Sequence, residues 1–179
     1  ETVRPTDGEV TSDMPTILAI NPDRFSDDLI VLSNSKCFRV MKLPLKWQKK
    51  ILAIFGPTNI SELMGAAVYY NPGDNKYLIE AQEQFRMFLR KFLASLYSRL
   101  KIDCVIGAAI HYKLDYDWGL VSDEIGVPYI VLHKENIYMP EAYELLEARY
   151  RKFGKFKGSQ IVVHSVLMKD FFIKSDYCN

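Results

Sequence analysis

The sequence has little cysteine, almost no net charge and no long apolar stretch. The cysteines Cys37, Cys104 and Cys178 are odd in number and widely spaced, which argues against a disulfide framework or a zinc site. A net charge of +1 supplies no overall field that would attract nucleic acid. No apolar run approaches the roughly 20 residues that span a bilayer. We therefore expect a reduced, cytoplasmic protein with no nucleic-acid partner and no metal.

Short motifs of the common nucleotide and hydrolase sites are also missing. No Gly-x-Gly-x-x-Gly follows a strand candidate, and the chain has no Walker phosphate loop, no Gly-x-Ser-x-Gly elbow and no His-Glu-x-x-His pair. Gly107 is followed by two alanines and begins no glycine-rich cradle. A nucleotide site built in the usual way is therefore not encoded here, and we expect no bound cofactor.

What is present is the composition of one globular domain. The chain has 179 residues, of which 49% are hydrophobic and 25% charged, values typical of a folded chain of single-domain size. The first residues are polar and rich in Pro, Thr, Ser and Asp, so we expect a flexible lead-in over residues 1–15. Residues 16–179 are expected to form a single domain.

Short apolar runs alternate with helix-length segments in the second half of the chain. The strand candidates are 102–110, 127–132 and 160–163, with helix candidates at 115–125 and 140–153. Each run is almost continuously apolar, which is typical of strands buried on both faces of a parallel sheet. The pattern predicts an α/β fold with a Rossmann-like, doubly wound, mainly parallel sheet flanked by helices.

The first half shows a weaker pattern of the same kind. Strand candidates lie at 16–20, 29–32 and 38–43, and helix candidates at 45–55, 59–70 and 77–100. The last of these has one wide apolar face, with Arg86, Arg90, Lys91 and Arg99 on the remaining surface. We interpret it as a helix packed on the sheet, with peripheral membrane contact through its basic face as the alternative.

All three histidines directly follow strand candidates. His111, His133 and His164 therefore fall at the carboxyl edge of the predicted sheet, where open α/β sheets bind ligands. Histidine titrates near neutral pH and is a frequent general base. The polar run from His133 continues through Lys134, Glu135 and Asn136, and its alternative interpretation is a solvated turn.

Other polar and aromatic residues near this edge have two interpretations each. Asp115 and Asp117 are helix caps or catalytic carboxylates. The aromatic residues Tyr112, Tyr116 and Trp118 present a face to a sugar ring or form the buried side of the next helix.

The order of these segments resembles a known family. Asp103-Cys104-Val105-Ile106, His111-Tyr112-Lys113, the run from Gly126 to Glu135, and Ile161-Val162-Val163-His164 together resemble the amino-terminal half of GT-B-type glycosyltransferases of bacterial surface-polysaccharide biosynthesis. In that architecture two Rossmann-like domains face each other across a cleft. The first binds the acceptor and often supplies the catalytic base, and the second binds the sugar nucleotide.

The resemblance implies a function for the residues at the edge. The chain would be the acceptor-side domain of a transferase that moves a sugar from a nucleotide-activated donor to a glycan or lipid-linked acceptor, and alone it would be inactive. The resemblance implies that the base is one of the residues at this edge, among His111, His133, Lys134, Glu135 and His164, and we expect His133 or Glu135. The substrate-binding residues would be His111, Tyr112, Lys134, Asn136, His164 and Ser165. A lipid-linked acceptor would bring the protein to the inner face of the membrane.

Two other functions fit the same pattern. One is half of a different two-domain enzyme, such as a sugar-nucleotide epimerase or a polyol-phosphate transferase. The other is a non-catalytic α/β module that binds a ligand through the same edge, since a fold does not by itself determine a function.

Overall fold

A computed structural model describes residues 14–55, 69, 71–108, 110, 113–133 and 140–178 of the chain. Among these residues lie the five strands β1 (Thr16–Ile20), β2 (Arg39–Leu43), β3 (Cys104–Gly107), β4 (Tyr129–Leu132) and β5 (Gln160–Val162). They form one sheet in the order β2-β1-β3-β4-β5, and every neighbouring pair is parallel. The predicted class, a Rossmann-like α/β fold with a doubly wound parallel sheet, is confirmed.

Six helices flank the sheet within the described part of the chain. They are α1 (Ser26–Asn34), α2 (Leu45–Phe55), α3 (Lys76–Leu100), α4 (Lys113–Glu124), α5 (Tyr143–Phe153) and α6 (Val166–Lys174), with 3-10 turns at Pro22–Arg24 and Pro140–Ala142. None of these helices combines the length and the apolar composition needed to cross a bilayer.

The core lies on both faces of the sheet, but unequally. The larger cluster covers the face that carries Val105 and Val131, and helices α3 to α6 contribute to it. The smaller cluster packs Phe25 and Leu29, at the start of α1, against Ile17 and other residues of the opposite face. Alternate residues of a strand point to opposite faces, and this is why each strand of the interior needs apolar residues throughout.

Most of the predicted elements are present, and one is wrong. Residues 29–32 form part of helix α1, not a strand. Phe25, Leu29 and Leu32 face the core at helical spacing, whereas Ile30 and Val31 point to solvent with exposures of 53% and 69%. A run of four apolar residues is compatible with a strand or a helix. Here the spacing between Phe25 and Leu29 identifies a helix, because it places both side chains on the same helical face.

The other predictions differ from the structure mainly in their bounds. The three strands of the second half and the helices between them are confirmed, each within a few residues. The helix candidate 59–70 lies outside the described residues except for Tyr69, as does the lead-in 1–15 except for its last two residues.

Helix α3 packs against the larger core cluster, as the first of its two interpretations predicts. Its apolar stripe is buried, including Phe85, Leu89 and Leu93. The exposed guanidinium of Arg90 pairs with Glu83 and Glu124 at 2.7 and 2.9 Å. Paired in this way, Arg90 adds little to any basic face of the helix.

Candidate functional site

The strand order places a topological switch point between the carboxyl ends of β1 and β3. From β1 the chain winds outward to β2 and then returns to the other side of β1 to form β3. The connections leave the sheet on opposite sides at such a switch point, and ligands of doubly wound proteins bind in the gap between them. A ligand bound at this switch point would therefore contact the residues that follow β1 and β3.

Asn21 directly follows β1 at this switch point. Its backbone is left-handed, with φ of 51° and ψ of 50°, a conformation that Asn adopts more readily than most residues. Its carbonyl accepts a hydrogen bond from the Arg24 amide at 3.2 Å, and its side chain is buried and close enough to Asp115 to lower the pKa of that carboxyl group.

Asp115 lies in the first turn of α4, just after β3, and is fully buried. The Gln48 side chain, on the inner face of α2, donates from Nε2 to Asp115 Oδ1 at 3.3 Å. Burial raises the pKa of Asp115 to about 7, although the hydrogen bonds from Gln48 and Asn21 and the charge of Arg24 act in the opposite direction. This carboxyl group therefore titrates near neutral pH.

The polar cluster around Asp115 has spare acceptors. Asn21 Oδ1, Gln48 Oε1 and Asp115 Oδ2 are buried and have no hydrogen-bond partner among the described residues. A buried acceptor without a donor costs about 1–3 kcal/mol. The cluster therefore suits a ligand that brings donors, such as a hydroxyl group.

The buried hydroxyl group of Tyr129 lies near the polar cluster around Asp115. Its ring rises from the start of β4 along α4, where a Cβ added at Gly119 would collide with it, and a Cβ at Gly107 would lie 2.6 Å from its hydroxyl oxygen. This hydroxyl has no partner within the described part of the chain. Burial, and then the charge of Asp115, raise the pKa of Tyr129 well above its usual value, so the phenol stays neutral.

A second acidic residue of α4, Asp117, has a hydrogen-bond partner for each of its carboxylate oxygens. Asp117 Oδ1 accepts from Arg86 Nε at 2.8 Å, and Asp117 Oδ2 accepts from the Tyr69 hydroxyl. Burial alone would lower the pKa of Arg86, but the Asp117 carboxylate more than offsets it, so the pKa is raised and the guanidinium stays charged. This ion pair joins α3 to α4 and is structural.

The described histidines occupy unlike environments. His133 follows β4 as predicted, but it is fully buried, with its ring edge-on to Phe172 at a centroid distance of 5.3 Å. His164 and Ser165 follow β5 and are exposed. The Ser165 hydroxyl accepts a hydrogen bond from the Met168 amide at 3.2 Å, so it caps α6. The roles predicted for these three residues stay predictions.

Several predicted residues lie outside the described part of the chain, namely His111, Tyr112, Lys134, Glu135 and Asn136. Of the residues with two interpretations, Trp118 is on the buried side of α4. Asp115 and Asp117 lie inside α4, which begins at Lys113, so neither is the residue that caps it.

Sequence reasoning missed Asn21 and Gln48 and left Asp115 undecided. The sequence does carry a signal for Gln48 and for Asp115. Asp115 shares a helix face with Trp118 and Ser122, and Gln48 shares one with Ile51 and Leu52. A polar residue inside an otherwise inward-facing stripe is a candidate for a buried site.

In the described residues no group of three or more His, Cys, Asp or Glu side chains could hold a metal ion. The chain matches no protein-family model, no curated protein and no solved structure. Strand order and site geometry therefore define the class of protein. It is a doubly wound α/β protein with an ionisable carboxyl group buried at the switch point of its sheet.

Proposed function

We propose that this chain is the acceptor-side domain of a glycosyltransferase, which transfers a sugar from a nucleotide-activated donor to a hydroxyl of a surface-glycan acceptor. The observation that carries the proposal is Asp115, a carboxyl group at the switch point of the sheet whose pKa is about 7. A general base works best when its pKa is close to the pH at which it acts.

In the proposed reaction an acceptor hydroxyl donates its hydrogen bond to Asp115 Oδ2. As the acceptor oxygen bonds to the anomeric carbon, the bond from that carbon to the nucleoside diphosphate breaks and the diphosphate leaves with the electron pair. The proton passes from the acceptor oxygen to Asp115. Gln48 and Asn21 hold the carboxyl group in place, and the hydroxyl of Tyr129 is available to a second polar group of the acceptor.

The bases predicted from the sequence remain alternatives to Asp115. His133 is packed against Phe172 with no exposed surface, and Glu135 lies outside the described residues. Asp115 is likewise enclosed, and the proposal requires the residues that cover it to move aside for the acceptor. We propose that a second domain mainly holds the donor nucleotide, while His111, Tyr112, Lys134, Asn136, His164 and Ser165 are the substrate-binding residues of this acceptor-side domain.

The test is sugar transfer by the full-length protein, with a panel of nucleotide sugars and glycan or polyol acceptors. Asp115→Asn keeps the shape of the side chain but cannot accept the proton, and we expect kcat to fall by about 10²- to 10⁴-fold with little change in KM. Asp170→Asn, at an exposed position of α6, is the matched control. His133→Ala tests the other described base. Wild-type kcat in Asp115→Asn would refute the assignment.

A second candidate is a non-catalytic module that binds a hydroxylated ligand at the same switch point. Asp115 and His133, the two candidate bases among the described residues, are both completely buried, which favours a role that needs no exposed base. Calorimetry distinguishes the two functions. Saturable binding of a sugar or polyol that is never converted, in the presence of every nucleotide donor, supports the binding module.

A further inference from the structure

One surface concentrates basic charge in a chain that is nearly neutral overall. Residues 29–55 contain six basic side chains and no acidic one, although the whole chain has a net charge of only +1. Three of these, Lys46, Lys49 and Lys50, are exposed on α2, and none of the three forms an ion pair within the described residues. Lys42, near the end of the edge strand β2, is also exposed.

Large apolar side chains lie on the same outer face of α2. Trp47 and Ile54 are separated by two helical turns and therefore share a face, and their exposures are 46% and 70%. The ammonium group of Lys50 lies 4.9 Å from the centre of the Trp47 ring. We call these five residues of α2, the three lysines with Trp47 and Ile54, the α2 surface.

The inner face of α2 fixes the direction of this surface. Gln48 is fully buried and reaches Asp115, while Ile51 and Leu52 pack against the larger core cluster. With these residues turned inward, the lysines, Trp47 and Ile54 project outward together. The α2 surface therefore faces away from the core.

We infer that the α2 surface docks on an anionic phospholipid membrane. Lysines are attracted to anionic headgroups, and each one near the surface contributes independently of exact geometry. Trp prefers the boundary between headgroups and acyl chains, and an exposed Ile beside it adds buried apolar area on insertion. This inference is independent of the sugar chemistry proposed above. It also assigns membrane contact to α2, not to the basic residues of α3.

The intrinsic fluorescence of Trp47 can report on this contact. The chain has two tryptophans, of which Trp118 is buried and Trp47 is half exposed. We expect vesicles of phosphatidylcholine with phosphatidylglycerol to sediment the protein and to shift its tryptophan emission to the blue. Trp47→Phe should abolish the shift while most of the binding remains. Raising the salt from 0.1 M to 1 M should release the protein, because the Debye length falls from about 10 Å to about 3 Å.

The decisive variant reverses the charge of the α2 surface. Lys46→Glu/Lys49→Glu/Lys50→Glu should weaken binding to these vesicles by at least about 100-fold. The matched control makes the same three changes at exposed positions near the other edge of the sheet, Lys152, Lys169 and Lys174, and should bind as wild type to within a few-fold. Circular dichroism confirms that both variants are folded.

Three results would overturn the inference. One is equal binding to vesicles of phosphatidylcholine alone, and another is an equal loss of binding in both triple variants. The third is that the wild-type protein ignores the vesicles but binds single-stranded RNA through the same lysines, which would assign the α2 surface to nucleic acid.

Discussion

Replacing Asp115 by Asn should stabilise the protein at alkaline pH. Burial raises the pKa of this carboxyl group from 3.8 to about 7 in the folded chain, whereas in the unfolded chain it returns to about 3.9. Between these two values the folded state keeps a proton that the unfolded state has lost. Stability therefore falls as the pH rises from about 4 to about 7, and the loss is complete above the folded pKa.

The size of the effect follows from the two pKa values. Each pKa unit corresponds to about 1.4 kcal/mol, so the ionised carboxyl group costs about 4 kcal/mol of stability at pH 8. Asn removes this titration, and its NH₂ group places a donor near the spare acceptors of Asn21 and Gln48. We expect Asp115→Asn to be more stable than wild type by about 2–4 kcal/mol at pH 8, with the difference close to zero at pH 4–5.

Urea unfolding of both proteins at a series of pH values measures this difference directly. The difference between the two curves isolates Asp115, because every other titrating group is common to both. A carbon-13 titration of the Asp115 carboxyl group gives the pKa independently. A constant difference over the whole pH range, or a carboxyl pKa near 4, would refute the reasoning and remove the base from the proposed reaction.

Three further predictions follow from the same region. Gly119→Ala should destabilise the protein by about 1–3 kcal/mol in thermal unfolding, because the added methyl group collides with the Tyr129 ring; unchanged stability would mean that the ring can move aside. Tyr129→Phe should leave the free energy of unfolding within about 1 kcal/mol of wild type but weaken binding of a polyol acceptor in calorimetry, and a large loss of stability would reveal a hydrogen bond to this hydroxyl. Asp117→Asn should cost about 3 kcal/mol, because it leaves Arg86 without its carboxylate; urea unfolding with no loss would show that the pair is dispensable.

The sheet could be predicted from the sequence because its signal is local. The strands at Cys104, Tyr129 and Gln160 are short apolar runs, each bounded by segments of helical length, and parallel pairing follows from that alternation. The apolar run 29–32 misled for the same reason. It has the composition of a buried strand, and only its distance from Phe25 shows that one side of it faces the core as a helix.

The sequence predicts where the candidate site lies in the fold, but it does not predict which residues form it. The sequence locates the carboxyl edge, since it locates the ends of the strands. It does not show that Gln48, which is 67 positions away from Asp115, donates to that carboxyl group. Burial of Asp115 is also a property of the whole fold, because α2, the turn after β1 and the start of β4 all enclose it. A pKa near 7 depends on that enclosure and leaves no trace in local sequence.

The two aspartates of α4 differ in how completely their oxygens are hydrogen-bonded. Asp117 receives a guanidinium and a phenol, and these donors satisfy both of its oxygens. Asp115 accepts from the Gln48 amide at one oxygen, while its other oxygen and the amide oxygens of Asn21 and Gln48 lack partners among the described residues. A fold selected for stability alone would pair or replace such a group, because a buried polar atom without a partner is costly. Residues that reduce stability in this way concentrate at functional sites. Asp115, not Asp117, is therefore the carboxyl group to which we assign the proton.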